Sequence, residues 1–132
     1  TELDYADFML RFLALTVCSG HIEEVYWWRL SARGFGLVDD QDGFKPRPAF
    51  EALKFFLGLL GDTVFVKKHD TPEDCYLLEF SKGAARILMA WRVSGEQPLD
   101  GFGPFDQAWD AFGGTIKGPV FRASPTYYRL EG

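Results

Sequence analysis

Cys75-Tyr76-Leu77-Leu78-Glu79-Phe80, then Ser81-Lys82-Gly83-Ala84, then Ala85-Arg86-Ile87-Leu88-Met89-Ala90-Trp91-Arg92 is the stretch on which the fold turns. Two short apolar runs flank a small, polar, glycine-bearing break. That pattern predicts a tight β-hairpin, with strands Cys75–Phe80 and Ala85–Arg92. Thr63–Lys68 is a further strand candidate, and Ala108–Phe112, Thr115–Lys117, Val120–Arg122 and Tyr127–Leu130 are further short strands or turn segments. A Gly/Pro/Asp-rich connection occupies 93–106. The chain after Gly61 therefore reads as all β.

The upstream part reads differently. Residues 1–20 predict an amphipathic helix, with Tyr5, Phe8, Met9, Phe12, Leu13 and Thr16 on the apolar side and Asp4, Asp7 and Arg11 on the other. Thr1 and Asp4 fit a capping box, and Ser19-Gly20 a stop. Residues 22–30 predict a strand around Val25-Tyr26-Trp27-Trp28-Arg29-Leu30. Its core is apolar on both sides, as suits a strand buried on two faces. A Gly/Asp-rich loop at 31–47 follows. A second helix runs from about Pro48 to Leu60, with Pro48 at its first position and Gly61 as its cap. Its apolar stripe is Ala49, Leu53, Phe56, Leu57 and Leu60.

Composition narrows the function classes. The 132 residues carry a net charge of −5, and the densest basic cluster is Lys67-Lys68, so no basic face for nucleic-acid backbone is expected. No apolar run reaches the roughly 18 residues of a membrane span. Aromatics are 17% of the chain, so rings must build the core or meet a ligand. Cys18 and Cys75 are too few for a disulfide framework and read as buried free thiols. The start, Thr1-Glu2-Leu3-Asp4, reads as the cut end of a longer protein.

Most familiar motifs fail on inspection. Gly34-Phe35-Gly36 lacks the third glycine of a dinucleotide fingerprint. Asp39-Asp40-Gln41-Asp42-Gly43 resembles a calcium loop, but Val38 and Ala49 would fall at its first and last ligand positions and cannot ligate. His21 and His69 have no zinc-type spacing. No serine sits in a Gly-x-Ser-x-Gly elbow. Glu23 and Glu24 are adjacent on a predicted strand, so they point to opposite faces. Glu51, Glu73, Glu79, Glu96 and Glu131 read as solvated side chains. No catalytic residue, metal ligand or cofactor is therefore expected in this chain. Trp27-Trp28 is the informative pair, either core packing or a stacking platform for a sugar ring.

Taken in order, these segments resemble the end of the catalytic barrel in retaining (β/α)₈ glycoside hydrolases. The residues are Glu24-Val25-Tyr26-Trp27-Trp28-Arg29-Leu30, Gly36-Leu37-Val38-Asp39, Arg47-Pro48-Ala49-Phe50-Glu51-Ala52-Leu53-Lys54 and Leu59-Leu60-Gly61. Tyr76–Phe80 with Ile87–Trp91 resembles the central hairpin of the β-sandwich such enzymes often carry. Trp109-Asp110-Ala111-Phe112-Gly113-Gly114 and Ser124-Pro125-Thr126-Tyr127-Tyr128 resemble its closing strands.

The resemblance implies an α+β chain. Residues 1–61, two helices and one strand, would end a TIM barrel, and 62–132 would form an antiparallel β-sandwich. A complete barrel needs roughly 250 residues, so most of it would belong to the parent protein. Both catalytic glutamates would lie upstream of Thr1, and Glu2 is not the nucleophile, because Asp4 and Tyr5 already begin the helix and leave no loop after it. Trp28, nearer the C-terminal end of its strand, would line the sugar subsite, with Trp27 as the second choice.

The implied partners are a carbohydrate and the rest of the parent barrel. Alone, the chain must pair Val25–Trp28 with its own β-region or with a second copy, as a homo-oligomer. Two other readings stand beside this one: a non-catalytic carbohydrate-binding module using Trp28 or Trp91, and a protein-interaction domain.

Overall fold

The computed structural model of the protein describes residues 2–18, 38–39, 45–46 and 48–131. The predicted strand 22–30, with Trp27 and Trp28, lies outside them. So do Glu23, Glu24 and His21. The chain divides into two units, Thr1–Phe55 and Phe56–Gly132, taken in turn.

In the first unit, α1 spans Glu2–Cys18. The helix agrees with expectation, but its inner face does not. Ala6, Asp7, Met9, Leu10, Leu13 and Ala14 are buried, whereas Phe8 is 58% and Phe12 46% exposed. Phe8 and Phe12, one helical turn apart, stack on each other with centroids 6.4 Å apart. The predicted stripe and the true one overlap only at Met9 and Leu13. Apolar side chains ring much of this helix, and the smaller Ala6 and Ala14 lie on the side that packs closely. Asp7, expected outside, is on that side as well. Two short strands, β1 (Val38–Asp39) and β2 (Lys45–Pro46), pair antiparallel within the predicted loop. Helix α2 spans Pro48–Leu60 and begins at the proline, as expected. Ala49 and Ala52 are buried in its first half.

The second unit takes in the last turn of α2 and an all-β region. At the end of α2, Gly61 N–H donates to Leu57 C=O at 2.8 Å. A Cβ at Gly61 would lie 2.4 Å from that oxygen, so only glycine fits the cap. Strands β3 (Val64–Lys68), β4 (Cys75–Lys82), β5 (Ala85–Arg92), β7 (Gln107–Trp109) and β9 (Thr126–Glu131) form one sheet in the order β3-β4-β5-β9-β7. Every pairing in it is antiparallel. Strands β6 (Gln97–Pro98) and β8 (Val120–Phe121) form a separate ladder. The chain is thus α+β, with two described helices and a five-stranded antiparallel sheet.

The β4–β5 hairpin is tighter than the four-residue break suggests. Lys82 pairs with Ala85, leaving Gly83 and Ala84 as the loop. Gly83 has φ +60°, the conformation a two-residue turn requires at its first loop position. Two sheet edges remain. On β3, Lys67-Lys68 and a bulge between Phe65 and Lys67 discourage pairing with another chain; β7 is only three residues long.

Side chains alternate across this sheet. One face presents Cys75, Leu77, Leu88, Ala90, Tyr128 and Leu130, which form a single core with Leu99 and Phe121. Phe102, Phe105 and Ile116 complete it, so the segment 97–121 lies across that face. Burial of each Leu or Phe in this core contributes about 1.5–3 kcal/mol. The other face presents Leu78, Phe80, Ile87, Met89, Trp91 and Tyr127, all of them 5% exposed or less. On β4, β5 and β9 both faces thus carry buried apolar side chains, whereas β3 is largely exposed. A polar cluster ties the first face to the ladder beside it. Tyr128 Oη accepts from Val120 N–H at 2.9 Å, and Thr126 Oγ1 lies 2.8 Å from that hydroxyl.

Expected segments are shifted at the chain's end. Ala108–Phe112 shrinks to Gln107–Trp109, because Asp110 turns the chain. Of the two possibilities for Thr115–Lys117, a strand or a turn segment, it is not a strand and makes a single bridge from Thr115 to Trp109. Gln97–Pro98, inside the expected loop, is a strand too short to leave a periodic pattern.

Candidate functional site

The described tryptophans differ sharply in environment. Trp91 is 1% exposed and stacks on Tyr76, its direct partner across β4 and β5, at 5.0 Å between centroids and 14° between planes. A ring so enclosed offers no face to a sugar. The carbohydrate-module expectation for Trp91 is therefore corrected: it is a core residue, and its cross-strand stack stabilises the hairpin.

Trp109 is only partly buried and stands on the edge strand β7. The turn that follows fixes its position. Asp110 Oδ1 accepts from Phe112 N–H at 2.9 Å and from Gly114 N–H at 2.8 Å. Asp110 N–H donates to Gly114 C=O at 2.7 Å. Such a side-chain-capped turn explains why an Asp precedes two glycines here. Gly113 has φ +94°, and a Cβ at Gly114 would lie 2.8 Å from Asp110 Oδ2. Both glycines are thus required by the turn that ends β7.

Two clefts meet at Trp109. The first, of about 290 Å³, is lined by Phe105, Asp106, Ala108, Ile116 and Lys117 among others. The second, of about 310 Å³, opens on the Trp91 face of the sheet. Its floor is Ala85 and Ile87, and its walls include Gly58 and Leu59 of α2. Among the described residues its polar lining is Lys82, Gln107 and Arg129. The ladder brings these together: Arg129 pairs with Ile87 on one side and with Gln107 on the other. Lys82 Nζ lies 2.9 Å from Asp62 Oδ2, and the hydrogen bond from Lys82 holds the Asp62 carboxyl below its ordinary value.

A second polar cluster lies on the opposite face. Glu79 is buried, contrary to the solvated side chain expected. His69 Nε2 lies 2.8 Å from Glu79 Oε1, and Arg86 Nη1 lies 3.6 Å from the same oxygen. A carboxylate only accepts, so Nε2 carries the hydrogen. The ring of His69 meets Phe102 edge-on at 5.0 Å. This group joins the 69–74 turn and the 97–121 segment to the sheet. It offers one carboxylate, already engaged, and no second beside it among the described residues.

Glu51, Glu73 and Glu96 are exposed, as expected. Among the described residues no group of His, Cys, Asp and Glu could hold a metal ion. No helix among them is long and apolar enough to cross a membrane. Cys18 and Cys75 are free thiols, Cys75 buried and Cys18 partly so. No protein-family model matches the chain, and no curated protein matches it.

Proposed function

We propose that this chain is the C-terminal part of a retaining (β/α)₈-barrel glycoside hydrolase that cleaves O-glycosidic bonds in oligo- or polysaccharides. In this reading, residues 1–61 end the barrel and 62–132 form the sandwich domain attached to it. The parent supplies both glutamates, one as acid/base and one as nucleophile, through a glycosyl-enzyme intermediate. This chain supplies structural support and a subsite aromatic, Trp28 or its neighbour Trp27.

The observation that carries the reading is the sheet whose strands β4, β5 and β9 bury apolar side chains on both faces. Isolated antiparallel sheets commonly leave one face in water. Here both faces of β4, β5 and β9 carry buried apolar side chains, and the β6–β8 ladder beside the sheet suits a sandwich-type second layer. Helix α1 supports it too, since Phe8, Phe12 and Leu15 are exposed opposite an apolar buried side. A helix apolar on more than one side belongs inside a larger fold.

Hydrolysis of aryl-glycosides by the isolated chain and by the full parent tests this. The parent should release the aryl group and the chain should not. Turnover by the isolated chain would sink the reading, as would a parent inactive on every aryl-glycoside.

One observation favours a second reading, a non-catalytic carbohydrate-binding module: the partly exposed Trp109 over its two clefts. Saturable sugar binding by this chain, with an inactive parent, would favour it.

A further inference from the structure

Asp100-Gly101 is one of two Asp-Gly pairs in the chain; the other, Asp42-Gly43, lies outside the described residues. The chain contains no Asn, so any isoaspartate in it must arise from an aspartate. The pair stands in the connection that leaves β6, and both residues are exposed. Among the described residues nothing hydrogen-bonds the Asp100 carboxylate or the Gly101 amide. Gly101 has φ +87°, and a Cβ placed on it would meet no atom within 4 Å. The nitrogen that follows Asp100 is thus unpaired and uncrowded, on an exposed residue with no side chain.

Every other described aspartate is followed by a residue that carries a side chain. Several are also engaged. Asp62 is paired with Lys82 Nζ at 2.9 Å, and Asp110 Oδ1 accepts from two backbone amides. Asp70 is exposed, but the β-branched Thr71 follows it.

The pair also joins two anchors. Leu99 is 2% exposed in the core, and its N–H donates to Pro119 C=O at 3.3 Å. Phe102 packs against the same core and meets the His69 ring edge-on at 5.0 Å. Only Asp100 and Gly101 bridge them, so a change in backbone length there is borne by two residues.

We propose that Asp100 is a self-modification site: its side chain closes on the Gly101 nitrogen and reopens as isoaspartate, which loosens the 97–121 segment from the sheet. The nitrogen attacks Cγ of the neutral carboxyl. The Cγ–N bond forms, the Cγ–OH bond breaks, and the hydroxyl leaves with the amide proton as water. The product is a five-membered succinimide. Water then adds at one of its two carbonyls. Addition at Cγ restores aspartate. Addition at the α-carbonyl breaks that carbon's bond to nitrogen, frees it as a carboxylate, and leaves Gly101 joined through Cγ. One water leaves and one returns, so nothing else is consumed. The main chain gains one carbon, about 1.5 Å of contour, between Leu99 and Phe102.

The test is prolonged incubation of the full chain in mildly acidic buffer, followed by peptide mapping with mass spectrometry. The succinimide peptide is lighter by one water. The isoaspartyl peptide has unchanged mass and a different retention, and a protease that cuts before aspartate no longer cuts before residue 100. Asp70 in the same digest is the internal standard. Asp100 should convert about tenfold faster than Asp70, because glycine brings no Cβ to the nitrogen and threonine brings a branched one. Asp100→Glu, whose ring would need a sixth member, should lose the modification with the circular dichroism unchanged. Gly101→Ala should slow it about tenfold. Should alanine at φ +87° unfold the chain, Asp100→Glu carries the test. In the modified chain, separated by chromatography, the Leu99 amide should exchange its hydrogen about tenfold faster than in the unmodified one.

Conversion at Asp100 no faster than at Asp70 would overturn the site. So would the same modification in Asp100→Glu. Unchanged exchange at Leu99 in a chain shown to carry isoaspartate would overturn the loosening.

Discussion

Tyr128→Phe isolates one hydroxyl in the core of the sheet. The ring is fully buried and lies against Phe105, with centroids 4.8 Å apart. Phenylalanine keeps that contact. What disappears is the group that accepts from Val120 N–H at 2.9 Å and lies 3.1 Å from Val120 C=O. The carbonyl keeps a donor, Thr126 Oγ1, at 3.2 Å. The amide N–H loses its acceptor, so the variant creates one orphaned donor. Leaving a buried donor unsatisfied costs about 1–3 kcal/mol, and we take about 2 kcal/mol here. For a chain of this size that corresponds to a fall in Tm of roughly 6–10 °C.

The assay is urea unfolding followed by tryptophan fluorescence, with the melting temperature as a second readout. A loss below about 0.5 kcal/mol would refute the assignment, since surface-like changes stay within that range. Alkaline pH supplies a further arm. Burial is the main cause that raises the Tyr128 phenol above its ordinary value of 10.0. The folded state therefore holds this proton more tightly than the unfolded chain does. The stabilising contribution is complete below pH 10 and is lost as pH rises through the folded value. Tyr128→Phe should remove this component of alkaline destabilisation.

Gly58→Ala should stabilise the chain by about 0.5–1 kcal/mol in urea unfolding, because it removes a helix-interior glycine without a clash; a loss of stability would mean that the wall is packed. Glu79→Ala should cost about 2–4 kcal/mol, since it strips the buried partner of His69 and Arg86. Glu79→Gln keeps an acceptor and should cost less, and equal losses would refute the hydrogen-bonding role of Oε1. Burial pushes the Cys18 thiol up to about 11 from 9.0. Near pH 8 its thiolate fraction is then about one hundredth of an unburied cysteine's, so iodoacetamide should label it that much more slowly by peptide mass mapping. Labelling at the rate of free glutathione would contradict its burial.

What the sequence revealed follows from what periodicity can encode. The hairpin at 75–92 was legible because two apolar runs flank a glycine that a two-residue turn needs. Helix α2 was legible from Pro48 at one end and Gly61 at the other. In α1 the element was legible and its inner face was not. Phe8 and Phe12 outweigh Ala6 and Ala14 on any hydropathy scale, yet close packing can favour small side chains over large rings. Glu79 shows a different limit. Its neighbours on β4 resemble those of any half-exposed strand position, and its partner His69 lies ten residues away, across a turn. Only the register of β3 and β4 brings the 69–74 turn to that carboxylate. The Trp109 cleft is harder still, for Gly58, Lys82, Gln107 and Arg129 come from four separate elements. Trp109 was legible only as part of a segment that resembles a closing strand. Its neighbours were not, because strand order in a sheet obeys no sequence period. A site assembled across β4, β5, β9 and β7 becomes visible only when the order β3-β4-β5-β9-β7 is known. Residues that act through such neighbours, as Tyr128 does through Val120, leave a composition in the sequence and no spacing. That is why the variants above are directed at them.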